Sequence, residues 1–134
     1  METRFLLDTN TASYLIKGRS PAAAAKFAKT APMQLAISAV TEAELRFGIA
    51  RQPDATRLRA LVEEFLLGVT ILPWDSDCTR SYARLRAGLE REGLPLGSMD
   101  LMIAAHALAF QVTLVTGDQA FTRIKQLKTQ DWTH

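Results

Sequence analysis

Four carboxylates, Asp8, Glu44, Asp100 and Asp118, lie far apart in the chain, yet each stands just after an apolar run or at the start of a helix. Phe5-Leu6-Leu7 precedes Asp8, Leu35-Ala36-Ile37 precedes Glu44, and Val112-Thr113-Leu114-Val115 precedes Asp118, while Asp100 falls in the first turn of a helix predicted to be capped by Ser98. In open parallel α/β sheets the ligand site lies beyond the carboxyl ends of the strands, where the following helices begin. The four acids share that kind of position. If they converge to about 4 Å, each pair repels by about 4 kcal/mol at an effective dielectric of about 20, and not all can stay ionised near neutral pH. A divalent cation removes the conflict. With one cysteine and no histidine cluster, the donors are all oxygen, which suits Mg²⁺ or Mn²⁺, and Mg²⁺ takes phosphate as a further ligand. The chemistry indicated is phosphodiester hydrolysis.

Each acid also has a simpler role available. Thr41-x-x-Glu44 is a capping-box pattern, Asp100 gains from the helix dipole, Asp118 follows Gly117 in a turn, and Asp8 can form a capping turn with Asn10. The helix after Asp100 favours the chemical reading. Leu101 to Phe110 is apolar on nearly every face, so it is predicted to be a central buried helix whose first-turn acid is poorly hydrated. A carboxylate there needs a partner or a metal, and only Arg4 is a near sequence neighbour of Asp8 or Asp100 with positive charge.

The elements that would hold these acids follow from local signals. Helices are expected over 11–17, from Pro21 through an alanine-rich segment, over 41–50, 54–67, from Asp75 or Ser76 to about Glu92, and from Ser98 to about Phe110. Strands are expected at 5–7, 35–37, 69–72 and 112–115, with a last short one within 127–131. Alternation of strands and helices predicts an α/β fold with a parallel sheet covered on both faces, and the helices flanking Gln52-Pro53 form an antiparallel hairpin. With 134 residues, 48% hydrophobic and 22% charged, the chain has room for one domain, 1–134. A net charge of +2 means that any nucleic-acid partner must be held by a local basic patch. The lone Cys78 excludes an internal disulfide, and the apolar stretch 101–110 is about half of a membrane span. An acid as early as Asp8 also argues against a secretory leader, so a cytoplasmic location is expected.

Leu7-Asp8-Thr9-Asn10, Thr41-Glu42-Ala43-Glu44-Leu45-Arg46-Phe47-Gly48, Pro95 to Ala107 and Val115-Thr116-Gly117-Asp118 with Phe121 resemble, in order and spacing, the PIN-domain ribonucleases of the VapC toxin type. The resemblance extends over essentially the whole chain, to Asp131-Trp132. It implies a three-layer α/β/α PIN-like fold with a protruding helical hairpin, and Mg²⁺- or Mn²⁺-dependent endoribonuclease activity. It also implies a homodimeric toxin neutralised by a cognate VapB-like antitoxin. Carried over by motif, Asp8, Glu44, Asp100 and Asp118 match the acidic cluster, and Asn10 and Thr116 match its supporting polar positions. Asp8 and Asp100 are then the principal metal ligands, with Glu44 and Asp118 completing the shell directly or through water. Either of the latter two can be the acceptor of the attacking water's proton.

Other residues are expected to be structural. Glu42 points about 160° from Glu44 on a helix turning about 100° per residue, and His106 lies about 240° round from Asp100. Cys78, Trp74 and Trp132 read as packing residues, and Phe47, Leu58, Leu61, Val62 and Phe65 as an apolar face of the hairpin or part of the core. Arg80, Arg84 and Arg91 form a stripe that suits either RNA phosphates or solvent. Dinucleotide and P-loop motifs are absent, and an aspartyl-phosphate phosphatase would want a second Asp where Asn10 stands. The remaining alternative is a catalytically inactive PIN-like module that binds RNA or protein.

Overall fold

A computed structural model describes residues 2–134. Five strands form one parallel sheet in the order β3-β2-β1-β4-β5, with β1 at Phe5–Leu7, β2 at Leu35–Ser38, β3 at Thr70–Leu72, β4 at Thr113–Val115 and β5 at Thr129–Gln130. Between them run α1 (Thr9–Lys17), α2 (Pro21–Lys29), α3 (Ala39–Ala50), α4 (Thr56–Leu67), α5 (Ser76–Arg91) and α6 (Ser98–Phe110). The chain steps outward from β1 to β2 and β3, then returns through α5 and α6 to β4 on the other side of β1. That reversal beside β1 is where such sheets form their ligand crevice, at the carboxyl ends of the strands.

The short strands alternate with period two, and each face meets its own apolar layer. Leu6, Ala36 and Leu114, paired in register, face a cluster with Leu85, Leu89, Ile103 and Phe121 from α5, α6 and the turn after β4. Their neighbours Leu7, Ile37 and Val115 face Ile16, Ala23, Val62 and Leu66 from α1, α2 and α4. The predicted three-layer α/β/α arrangement is therefore observed. Helix α6 is the buried helix its composition predicts, with Leu101 and Ile103 to Ala107 all enclosed. Helices α3 and α4 form the hairpin; Val62 is buried and Leu58, Leu61 and Phe65 pack into the core, whereas Phe47 stays outside with the Arg51 guanidinium 5.3 Å over its ring.

Helix starts differ from expectation at four places, one of them α4, which begins at Thr56 and not at Asp54. The cap of α1 is Asp8 itself, so the helix begins at Thr9 and not at Thr11. The cap of α3 is Ser38, whose Oγ accepts the Val40 N–H at 3.0 Å, so this helix begins two residues before Thr41. Ser98 is the first residue of α6, and the cap position is Gly97, which offers no side-chain acceptor.

Candidate active site

Asp8 leaves β1 and opens α1. Its Oδ1 accepts the Thr11 N–H at 2.8 Å, and the residue is only 4% exposed. Burial raises this carboxyl above its ordinary value of 3.8; Thr116 and Thr11 oppose the rise by hydrogen bonding, and the charge of Asp118 adds to it.

Glu44 does not cap its helix. Because α3 starts at Ala39, Thr41 and Glu44 both lie inside it, and the capping-box reading fails. Instead Thr9 Oγ1 donates to Glu44 Oε1 at 2.6 Å. The same Thr9 oxygen lies 3.0 Å from Thr41 Oγ1. A hydroxyl has one hydrogen, and Thr9 gives its own to Glu44, so Thr41 donates to Thr9. A chain of two threonines thus ties the carboxylate on α3 to the first turn of α1.

Asp100 is the third residue of α6. Its carboxyl is raised above 3.8 by partial burial first, and then by the charges of Asp118, Asp8 and Glu44. One carboxylate feels three others, each from a different element, which places all four acids in one neighbourhood. Asp118 caps the 3₁₀ turn Gln119–Arg123, with Oδ1 accepting the Ala120 N–H at 2.9 Å, and its own N–H donates to Thr116 Oγ1 at 3.0 Å. Thr116 is buried between Asp8 and Asp118 in this way, while Asn10 is exposed in a cleft of about 180 Å³ with Thr9 and Glu44.

The four acids do not close to the expected ~4 Å. Among the described residues, no three His, Cys, Asp or Glu side chains stand together as a ready metal-ligand group. Like charges keep apart, and Asp8, Glu44 and Asp118 are each held by an N–H or hydroxyl partner of their own. No protein cation relieves them: among the described residues, ion pairs involve Arg46, Arg80, Arg86 and His134, and none includes these acids. An all-oxygen donor set, partly desolvated and mutually repelling, fits a hard divalent cation.

Several residues outside the acidic set shape it in ways that the sequence reading did not assign to them. Thr9 and Thr41 are two. Asp131 is a third: a Cβ placed on Gly117 would lie 3.4 Å from Asp131 Oδ2, so a carboxylate from beyond β5 packs on the turn that presents Asp118. It obeys the same strand-end rule as Asp8. Glu42 faces away, paired with Arg46 at 2.9 Å. His106 is fully buried, its Nδ1 2.8 Å from Ser38 Oγ and its ring edge-on to Trp74 and Phe110, as expected of a core histidine.

Comparison with known proteins agrees with this fold. The PIN domain model matches residues 5–127. The chain is 33% identical to the tRNA(fMet)-specific endonuclease VapC of Shigella flexneri, over 96% of this chain and 98% of that protein. It is 33% identical to Ribonuclease VapC2 of Rickettsia felis, over 96% and 97% of the two chains. Among solved structures, DNA-bound VapBC from Salmonella typhimurium superposes with a TM-score of 0.91 at 32% identity, covering 97% of this chain and 98% of that one. VapBC2 from Rickettsia felis, bound to a promoter DNA fragment, gives 0.88 at 32% identity over 97% and 99%. The shared fold and the full-length similarity show that the chain belongs to the PIN-domain family, among the VapC ribonucleases.

Proposed function

We propose that this chain is a metal-dependent endoribonuclease toxin that hydrolyses RNA phosphodiester bonds and is neutralised by a cognate VapB-like antitoxin. The observation that carries the metal-dependent reading is the raised Asp100 carboxyl, which feels Asp118, Asp8 and Glu44 together, while among the described residues no cation forms an ion pair with any of the four. The toxin and antitoxin roles follow the VapC relatives and the VapBC complexes, and a homodimer is part of the same proposal.

Asp8 and Asp100 would hold Mg²⁺ or Mn²⁺, with Glu44 and Asp118 completing the shell directly or through water. When bound, the ion supplies Lewis-acid polarisation of the phosphoryl oxygen and a lowered pKa for water. The chain's own residues do the rest. Thr11 N–H holds Asp8 Oδ1 and fixes its rotamer, and Thr9 holds one oxygen of Glu44. A second carboxylate oxygen on Glu44 or Asp118 is left to accept the proton of the attacking water. Asn10, exposed in the cleft with Glu44, would serve as a supporting polar group of the acidic cluster.

The test is to incubate purified protein with RNA in Mg²⁺ or Mn²⁺ and to sequence the cut ends, with Asp8→Asn and Asp100→Asn as controls. Cleavage that needs the ion and both carboxylates is expected. Equal cleavage in EDTA, or full activity in either variant, refutes the mechanism.

A further inference from the structure

Beyond the acids, three clefts adjoin one another at Gln126 to form a trough, two of them on the face of α5. A cleft of about 490 Å³ between α5 and the end of α6 joins one of about 100 Å³ between α5 and residues 123–126, and one of about 280 Å³ toward Lys128; Gln126 lines all three. The segment after Asp118 builds one wall by a simple pattern. Phe121, Ile124 and Leu127 are buried at every third position, which leaves Arg123, Lys125 and Lys128 outside. Helix α5 builds the other wall with Arg80 and Arg84, one turn or about 6 Å apart, above a floor of buried Leu85 and Leu89.

The charge along this trough is unspent. Its acids are Asp77, which pairs with Arg80, and Glu92. Among the described residues, Arg84, Arg123, Lys125 and Lys128 have no carboxylate within ion-pair distance. Among the described residues, four cations without an ion-pair partner thus line these clefts against one unpaired acid, Glu92. The groove also leads from the acids. Its wall begins at the turn capped by Asp118, and Arg123 Nη1 donates to Pro95 O at 3.0 Å, which joins that wall to the loop preceding Asp100.

We infer that the α5 trough is a secondary substrate track, in which Arg84, Arg123, Lys125 and Lys128 grip successive phosphates of single-stranded RNA running away from the cut bond. This rests on the ribonuclease reading. Unpaired cations over an apolar floor suit a flexible polyanion whose sugar and base faces need cover. An acidic protein segment is the competing occupant.

The test measures binding of a fluorescent oligouridylate in EDTA across a salt series, for the parent and for Arg84→Glu/Lys125→Glu. Loss of two phosphate contacts should weaken binding about tenfold at low salt and flatten the log–log salt slope by about 1.4. Arg19→Glu/Arg57→Glu makes the same charge change elsewhere and should leave both values alone. Circular dichroism and light scattering on each variant establish that fold and oligomeric state are retained. An unchanged salt slope in the trough variant overturns the inference. So does unaltered oligouridylate binding with lost affinity for a labelled polyglutamate peptide, which would assign the trough to a protein. Failure of the parent to cleave RNA, with the slope still reduced in the variant, would sink the nuclease reading and leave the track.

Discussion

Replacing Asp100 by Asn should make the metal-free chain more stable and abolish RNA cleavage. The carboxylate is partly buried at the start of α6 and lies within reach of the charges of Asp118, Asp8 and Glu44. Two unit charges about 8 Å apart repel by about 2 kcal/mol at an effective dielectric of about 20, and solvent at a half-exposed group reduces this further. A net gain of about 1 kcal/mol is expected for the amide, or about 4 °C in Tm for a domain of this size. The pH dependence has a definite sign. The folded carboxyl is raised above its ordinary 3.8, so the folded chain keeps a proton that the unfolded chain releases. The parent therefore loses stability as pH climbs from about 3.8 through the raised value, and the advantage of Asn appears over that window and persists above it. Added Mn²⁺ should reverse the order. A site that binds only the folded chain stabilises it by about 2.7 kcal/mol at a hundredfold excess over Kd, and the variant should gain much less. Differential scanning fluorimetry in EDTA and in Mn²⁺ reads both effects. A variant less stable than the parent at neutral pH in EDTA, or one with the same Mn²⁺ gain, would refute the electrostatic reasoning.

Thr9→Val removes the donor that holds Glu44 and should lower the cleavage rate by about 10–100-fold, whereas Thr9→Ser should retain most of it; rates at saturating RNA decide this. Burial lowers the pKa of His106, with Asp75 opposing, so the unfolded chain takes up a proton near 6.5 that the folded chain refuses. Stability present above that pH is lost as pH falls, and His106→Gln should flatten the decline of Tm between about pH 7 and 5. Gln111 ends α6 in the left-handed region at φ 56°, and Gln111→Gly should add on the order of 0.5–1 kcal/mol in urea unfolding.

Strands β1, β2 and β4 were legible because each is a short, largely buried run between two apolar layers, and alternate residues such as Leu6 and Leu7 serve opposite layers. Asp8 was legible for a related reason, because it directly follows such a run, while Glu44, Asp100 and Asp118 stand farther on, in the helix or turn that comes next. What the sequence hid was how each acid is held. Capping and metal ligation ask for the same residue at the same place, and Asp8, which is the α1 cap, meets both descriptions. Ser38 closes an apolar strand and opens α3, and that shift of two residues turned Thr41-x-x-Glu44 from a capping box into two members of a hydroxyl–carboxylate chain. Its key bond joins residues 35 positions apart, beyond the reach of any local pattern. Asp131 is brought against Gly117 by the pairing of β5 with β4, and its carboxylate accepts from the Thr133 N–H and hydroxyl. Local rules therefore place charges at the right end of the sheet, and long-range pairing decides which hydroxyls and glycines make room for them. Substitutions at Thr9, Thr41 or Gly117 should consequently alter catalysis more than their ordinary chemistry suggests, because each acts through a carboxylate it positions.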